Sequence, residues 1–267
     1  MKHLLYLTFL LLFLTSCKKD ELAETGCRIS KVMLYDGTGA PDDEAILSYS
    51  GDNVSEVALS DVRYTITYNG EGRVVRRTFF RPNATSPFRY DTLIYGADRT
   101  LSLLERYNLG VGGGFQRTDS VRLAFSNGQL QERRQYSVPP FSFGGPLQLQ
   151  GIFRYTYAGN NITRLQREHF SNGAPSFTVT DDFEADALPN YYNGQGAQFY
   201  LVDPTMAQGL LETVHSVMMA NNIVRVRSNI QQPPLDYPLT YLTNSQGLLS
   251  EVRINGTPLV AYAYECR

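Results

Sequence analysis

One pattern recurs along this chain and limits what it can fold into. Residues 152–170 read IFRYTYAGNNITRLQREHF, and the same grammar returns at 45–59, 64–80, 91–107, 120–136 and 239–254. An alternating apolar/polar run closes on an aromatic or similar residue. A short turn of Gly, Asn, Asp or Ser follows, and a second run opens on Val, Leu or Ile. Period-two alternation places one side-chain set on each face of a strand, and such turns join strands as hairpins. Residues 177–192, FTVTDDFEADALPNYY, read as a weaker copy with its own turn, and 258–266, PLVAYAYEC, as a final single strand. The aromatic anchors Tyr49, Tyr68, Tyr95, Phe125, Tyr157 and Phe183 are unequally spaced, which fits variable outer connections rather than a strict solenoid. The expected fold is an all-β antiparallel meander, a curved or coiled sheet that is open or closed, in a single domain over 27–267.

Composition agrees where it is informative. The chain holds 18 Tyr and 14 Phe but no Trp, which is strand-forming chemistry. Its 24 Lys and Arg against 26 Asp and Glu leave a formal net charge of −2, arguing against a nucleic-acid partner that needs a concentrated basic face. One stretch departs from the strand pattern. DPTMAQGLLETVHSVMMA, 203–220, offers a capping Asp203, Pro204 in the first turn and an apolar face through Met206, Leu210, Leu211, Val214, Val217 and Met218. It predicts one amphipathic helix near 204–219, packed on the concave side of the sheet or acting as a lid.

The beginning of the chain supplies an address. Met1-Lys2-His3 precedes an apolar run, Leu4 to Leu14, that is too short to span a bilayer comfortably and has the size of a signal-peptide core. Leu14-Thr15-Ser16-Cys17 resembles the lipobox of bacterial lipoproteins. The resemblance implies cleavage of 1–16, lipidation of Cys17 and a tether over 17–26. Lys18-Lys19-Asp20-Glu21 resembles the export tag of Bacteroidota-type surface lipoproteins, which implies display on the outer face of the outer membrane. The hairpins themselves, through Tyr155-Thr156-Tyr157-Ala158-Gly159-Asn160-Asn161-Ile162, resemble the YD-repeat class of bacterial surface proteins and a related group of Bacteroidota-type lipoproteins. The chain is far shorter than the YD-repeat toxins and carries no attached toxin module, so the resemblance implies a curved sheet and no established activity.

With Cys17 committed to lipid, Cys27 and Cys266 remain, one near each end of the mature chain. An even pair in an oxidising compartment argues for a disulfide that makes the first and last strands neighbours. The second strands carry Arg76-Arg77, Glu105-Arg106, Glu132-Arg133-Arg134, Arg164 with Arg167-Glu168, and Glu251 with Arg253. In register these form cross-strand ladders of Arg and Glu on a solvated face, or an arginine surface for anionic ligands.

Motifs for catalysis are missing. His169 and His215 lie in different kinds of segment, and no His-x-x-x-His, Cys-x-x-Cys or Gly-x-Ser-x-Gly is present, so neither a metal nor a catalytic residue is assigned and no cofactor is expected. GVGGG, 110–114, reads as a flexible loop. Asp42-Asp43-Glu44 and Asp181-Asp182 read as polar turns, with a hydrolase using paired acids as the rival. Asp91-Thr92-Leu93 and Asp119-Ser120-Val121, read as strand starts, resemble O-glycosylation acceptors. The function expected is that of a lipid-anchored cell-envelope protein, non-catalytic, binding or scaffolding through loops at 81–90, 108–118 and 137–150. The alternative is capture of a glycan or apolar ligand for an uptake system. The membrane is its partner through lipid, with an extracellular glycan or protein as possible ligand.

Overall fold

The computed structural model describes residues 26–139, 145–171, 173–190 and 219–266. Along these the chain forms sixteen strands: β1 Cys27–Tyr35, β2 Pro41–Ser50, β3 Asn53–Ala58, β4 Arg63–Tyr68, β5 Val74–Phe80, β6 Pro87–Tyr95, β7 Leu101–Leu109, β8 Phe115–Ser126, β9 Gln129–Ser137, β10 Gln148–Ala158, β11 Asn161–Ser171, β12 Ala174–Pro189, β13 Asn221–Ser228, β14 Leu235–Thr243, β15 Leu249–Ile254 and β16 Thr257–Cys266. Each pairs antiparallel with its sequence neighbours, and β1 pairs β16, so the meander closes into a barrel. Cys27 and Cys266 face each other in that closing register and are joined by a disulfide.

The repeated hairpins of the sequence are β2–β3, β4–β5, β6–β7, β8–β9, β10–β11 and β14–β15. Turn chemistry sets their joints. Asn127 and Gly128, and likewise Asn255 and Gly256, all have positive φ, the backbone that a two-residue hairpin turn of the right twist requires. The recurring aromatic has a specific task. The hydroxyl of Tyr68 donates to the Val54 carbonyl at 2.8 Å, that of Tyr95 to Val74 at 2.8 Å, and that of Tyr157 to Leu130 at 2.9 Å. Tyr49, Tyr241 and Tyr264 make the same bond to Ile29, Ile223 and Leu249. Each of these six tyrosines, all on even-numbered strands, thus ties itself to one of the first apolar residues of the preceding strand. A register shift falls immediately before Tyr49, Tyr68, Tyr95, Phe125 and Tyr157. Such bulges bend a strand, which helps curve the sheet toward closure.

A round barrel of this strand number would leave an aqueous channel. Here most inward side chains of β1–β5 and β9–β16 are withdrawn from water. Ile29, Val54, Val57, Tyr64, Phe79, Leu130, Ile162 and Leu165 are each 2% exposed or less, and they belong to one hydrophobic cluster fed by β1–β5 and β9–β16. The outward positions between them carry the charges: Lys31 with Glu44, Arg63 with Glu56, Arg154 with Glu132 and Glu168, Arg164 with Asp182, and Arg227 with Glu184.

Three expectations need correction. The weaker copy at 177–192 has no turn of its own, because β12 runs unbroken from Ala174 to Pro189. Asp181 and Asp182 therefore lie mid-strand, where adjacent side chains point to opposite faces. Asp42-Asp43-Glu44 likewise belongs to β2, while the turn before it is built on Asp36, whose carboxylate accepts from Thr38 and Ala40. Asp91 and Asp119 sit inside β6 and β8 rather than at their starts, and Ser120 is buried. The helix expected near 204–219 lies outside the described residues except for Met219, which is buried and not helical, and no helix occurs among the described residues.

Candidate functional site

The strand directions sort the connections between two ends of the barrel. Cys27, Cys266 and the turns at 51–52, 69–73, 96–100, 127–128, 159–160 and 244–248 share one, the disulfide end. The β12–β13 connection also leaves from this end. Its two sides are held together, since Asn190 donates through Nδ2 to the Met219 carbonyl at 2.8 Å and Asn161 donates to the Asn221 side chain at 2.8 Å. The loops expected to recognise a partner, 81–90, 108–118 and 137–150, all connect at the far end, although part of each range is strand. Residues 140–144 within the last of them lie outside the described residues.

The arginines resolve into two sets, because neighbouring residues on a strand cannot share a face. Arg77, Arg106, Arg133 and Arg167 face inward, while Arg76, Glu105, Glu132, Arg134, Arg164 and Glu168 face outward. Asp91, fully buried, accepts from Arg77 Nη2 at 2.7 Å and from Arg106 Nε at 3.0 Å. Asp181 accepts from Arg167 at 2.7 Å. Arg89 lies 3.6 Å from the centroid of Phe79, and Arg133 lies 3.9 Å from that of Phe153. Buried charge of this kind is tolerated only when paired and hydrogen-bonded. His169 stacks on Phe177 at 4.3 Å; His215 is outside the described residues.

Outside, β5 to β9 form a different surface. Tyr90 and Tyr107 stack at 4.7 Å, and Phe115 leans on Tyr90 at 4.9 Å. Arg76 covers Tyr90 at 3.9 Å, and Arg122 approaches Tyr136 at 5.3 Å. Arg117 bonds Glu105 at 2.6 Å, and Tyr107 donates its hydroxyl to the same carboxylate at 2.8 Å. Partial burial pushes Glu105 upward in pKa. The bonds from Arg117 and Tyr107 and the nearby charges of Arg117 and Arg122 outweigh it and hold the group below the ordinary range. The bond to Glu105 in turn raises Tyr107. A shallow depression of about 230 Å³ lies between β8 and β9, lined by Arg122, Glu132, Arg134 and Tyr136. No local pattern marks this aromatic group, because Tyr90, Tyr107 and Phe115 come from three different strands and meet only through register.

The paired-acid arrangement of a hydrolase is not formed by Asp181 and Asp182. Asp181 turns inward to Arg167, and Asp182 turns outward to Arg164. Among the described residues no group of three or more His, Cys, Asp or Glu is placed to hold a metal ion. Cys17, Lys18, Lys19, Asp20 and Glu21 lie outside the described residues.

No protein-family model matches this chain, and no curated protein does. Solved structures do resemble it. A porin-like protein from Bacteroides vulgatus superposes with a TM-score of 0.53 at 10% identity, over 89% of this chain and 98% of that one. A porin-like protein from Bacteroides uniformis gives 0.38 at 11% identity, over 89% and 98%. A Bacteroides fragilis protein of unknown function gives 0.31 at 8% identity, over 51% and 90%. The first likeness is one of fold alone.

Proposed function

We propose that this protein is a lipid-anchored envelope protein whose barrel stands in water and works as a non-catalytic binding or scaffolding module. The observation that carries the reading is the polarity of the wall. A membrane barrel shows an apolar band to lipid and a polar interior. Over β1–β4 and β10–β16 this barrel does the reverse, with aliphatic and aromatic side chains filling most of the inside and charged residues along its outer face. Each arginine on a lipid-facing wall costs about 2–4 kcal/mol at the bilayer midplane, and this wall carries many. The shielded interior argues against a conducting pore. Membrane attachment then falls to the N-terminal segment, where the lipobox and Cys17 supply it. Cys27 opens β1 at the disulfide end, so a tether of residues 17–26, reaching at most about 35 Å, enters the barrel there and leaves the far-end loops free to face a partner.

The test is protease accessibility on intact cells compared with lysed cells. The reading expects digestion of the tether on intact cells, mislocalisation of Cys17→Ala, and protection of a variant lacking Lys18 to Glu21. Protection of the unaltered protein until lysis overturns surface display and places it on the periplasmic side.

A further inference from the structure

Most outward charges of this barrel are consumed by one another. Arg154 bridges Glu132 and Glu168, Arg164 pairs with Asp182, Arg225 and Arg227 share Glu184 and Asp236, and Arg63 pairs with Glu56. Arg76 and Arg122 differ. Both are exposed, and among the described residues neither has a carboxylate within ion-pair distance. Each lies against a tyrosine ring instead. Arg117 shares Glu105 but remains half exposed. The outer face of β5–β8 therefore combines a stacked platform of Tyr90, Tyr107 and Phe115 with an excess of guanidinium groups, on a chain whose net charge is −2.

From this geometry we infer that the outer face of β5–β8 binds an acidic polysaccharide, with the aromatic platform receiving sugar rings and Arg76, Arg117 and Arg122 receiving their carboxylates. The inference rests on the reading of the barrel as a water-exposed binding module. Aromatic rings offer apolar faces to the C–H side of a pyranose, and guanidinium groups meet carboxylates with two parallel hydrogen bonds. Neighbouring strands set these side chains about 4.8 Å apart, comparable to the advance of one sugar ring along an extended chain. Register brings Tyr90, Tyr107 and Arg117 into one row across the wall, with Arg76 and Arg122 in successive outward rows toward the disulfide end. The chain's formal net charge of −2 disfavours a nucleic acid, which needs a concentrated basic face. A flat, charged wall also lacks the apolar groove that an amphipathic protein helix would fill.

The experiment uses the full-length protein in detergent micelles and three probes: polygalacturonate, neutral dextran, and vesicles of phosphatidylglycerol. Affinity electrophoresis should show retardation by polygalacturonate and none by dextran. The double variant Arg76→Gln/Arg122→Gln should weaken binding at least about tenfold, the scale of one lost charge-assisted contact. Tyr107→Ser should weaken it comparably, and Arg227→Gln, on another part of the wall, should leave it unchanged. Trypsin resistance of each variant's barrel checks that it folds, and the arginine variants decide the matter if Tyr107→Ser does not. Absence of retardation, equal retardation by dextran, or equal loss in Arg227→Gln overturns the assignment. Binding to the vesicles without binding to polygalacturonate overturns it in favour of a phospholipid headgroup. If the polymer fails to bind while protease still frees the barrel from intact cells, only the ligand assignment falls; if the barrel is not freed, the underlying reading falls as well.

Discussion

Two parts of the same wall obey different rules. In β14–β16 and β1–β4 the alternation is simple. Ile29, Val32, Ala45, Val57, Tyr64, Leu239, Val252 and Val260 turn inward and are buried, while Lys31, Glu44, Glu56 and Arg63 turn outward and pair. In β5–β9 the polarity is partly reversed. Arg77, Asp91 and Arg106 go inside, and Tyr90, Tyr107 and Phe115 go outside. Apart from β1 and β16, all of these strands carry the same hairpin grammar. The difference teaches that grammar fixes strand, turn and closure but leaves the content of each face open. The departure from apolar-in, polar-out is where a stability rule has been relaxed, and such departures tend to mark function.

The comparison can be broken at several points, and the two largest effects, similar in size, fall one in each wall, beginning with the simple one. Its seam is the disulfide, which spans 239 residues of sequence. Replacing Cys27 and Cys266 together by Ser should lower unfolding free energy by about 2–5 kcal/mol, read from the urea midpoint and slope. An unchanged midpoint would show that the β1–β16 ladder closes the barrel unaided. In the reversed wall, Asp91→Asn should cost about 3–5 kcal/mol, because it leaves Arg77 and Arg106 without their shared carboxylate in a buried setting. Asp182→Asn, on an aspartate that is 50% exposed, should cost at most about 1 kcal/mol. Equal effects would erase the distinction between inner and outer charge.

Smaller effects test the tyrosine ties. Tyr157→Phe deletes the bond to the Leu130 carbonyl and should cost about 1 kcal/mol. These phenols also set an alkaline limit. Burial lifts Tyr49 and Tyr157 from the ordinary 10.0 to about 12. A raised folded pKa means that the folded state holds its proton longer than the unfolded chain does. The contribution is complete below pH 10 and is lost as pH rises through about 12. Denaturation at graded pH should show that decline, less steep in Tyr157→Phe; a flat profile over the window would contradict it. Least of all, Arg227→Gln should shift stability by no more than about 1 kcal/mol, as exposed pairs do.

Much of the fold was legible. Alternation with Asn-Gly or Gly-Asn turns located the β8–β9 and β10–β11 turns and the ends of β9 and β11 to within a residue, while β8 and β10 begin five and four residues before the pattern does, and the cysteine count brought β1 beside β16. Other features were hidden for physical reasons. Asp181-Asp182 resembles a turn because two adjacent acids rarely sit inside a strand. Arg164 and Arg167 on β11, near in space but not adjacent in sequence, make that placement possible. The arginine ladders were visible, but their division between faces was not. Bulges such as the shift between Thr67 and Tyr68 alter the alternation locally, so neither Arg77 nor Arg106 announced its inward direction. The aromatic platform on β6–β8 depends on register alone, which fixes Tyr90 opposite Tyr107.

The account stands or falls on whether the barrel wall meets water or lipid. The direct measurement is to treat isolated outer membranes with trypsin, which cuts after Lys18 and Lys19, and to ask by mass spectrometry and sedimentation where the barrel goes. The account predicts that an intact barrel beginning at Asp20 appears in the supernatant without detergent. A barrel that stays in the pellet after its tether is cut, and leaves only with detergent, would contradict it.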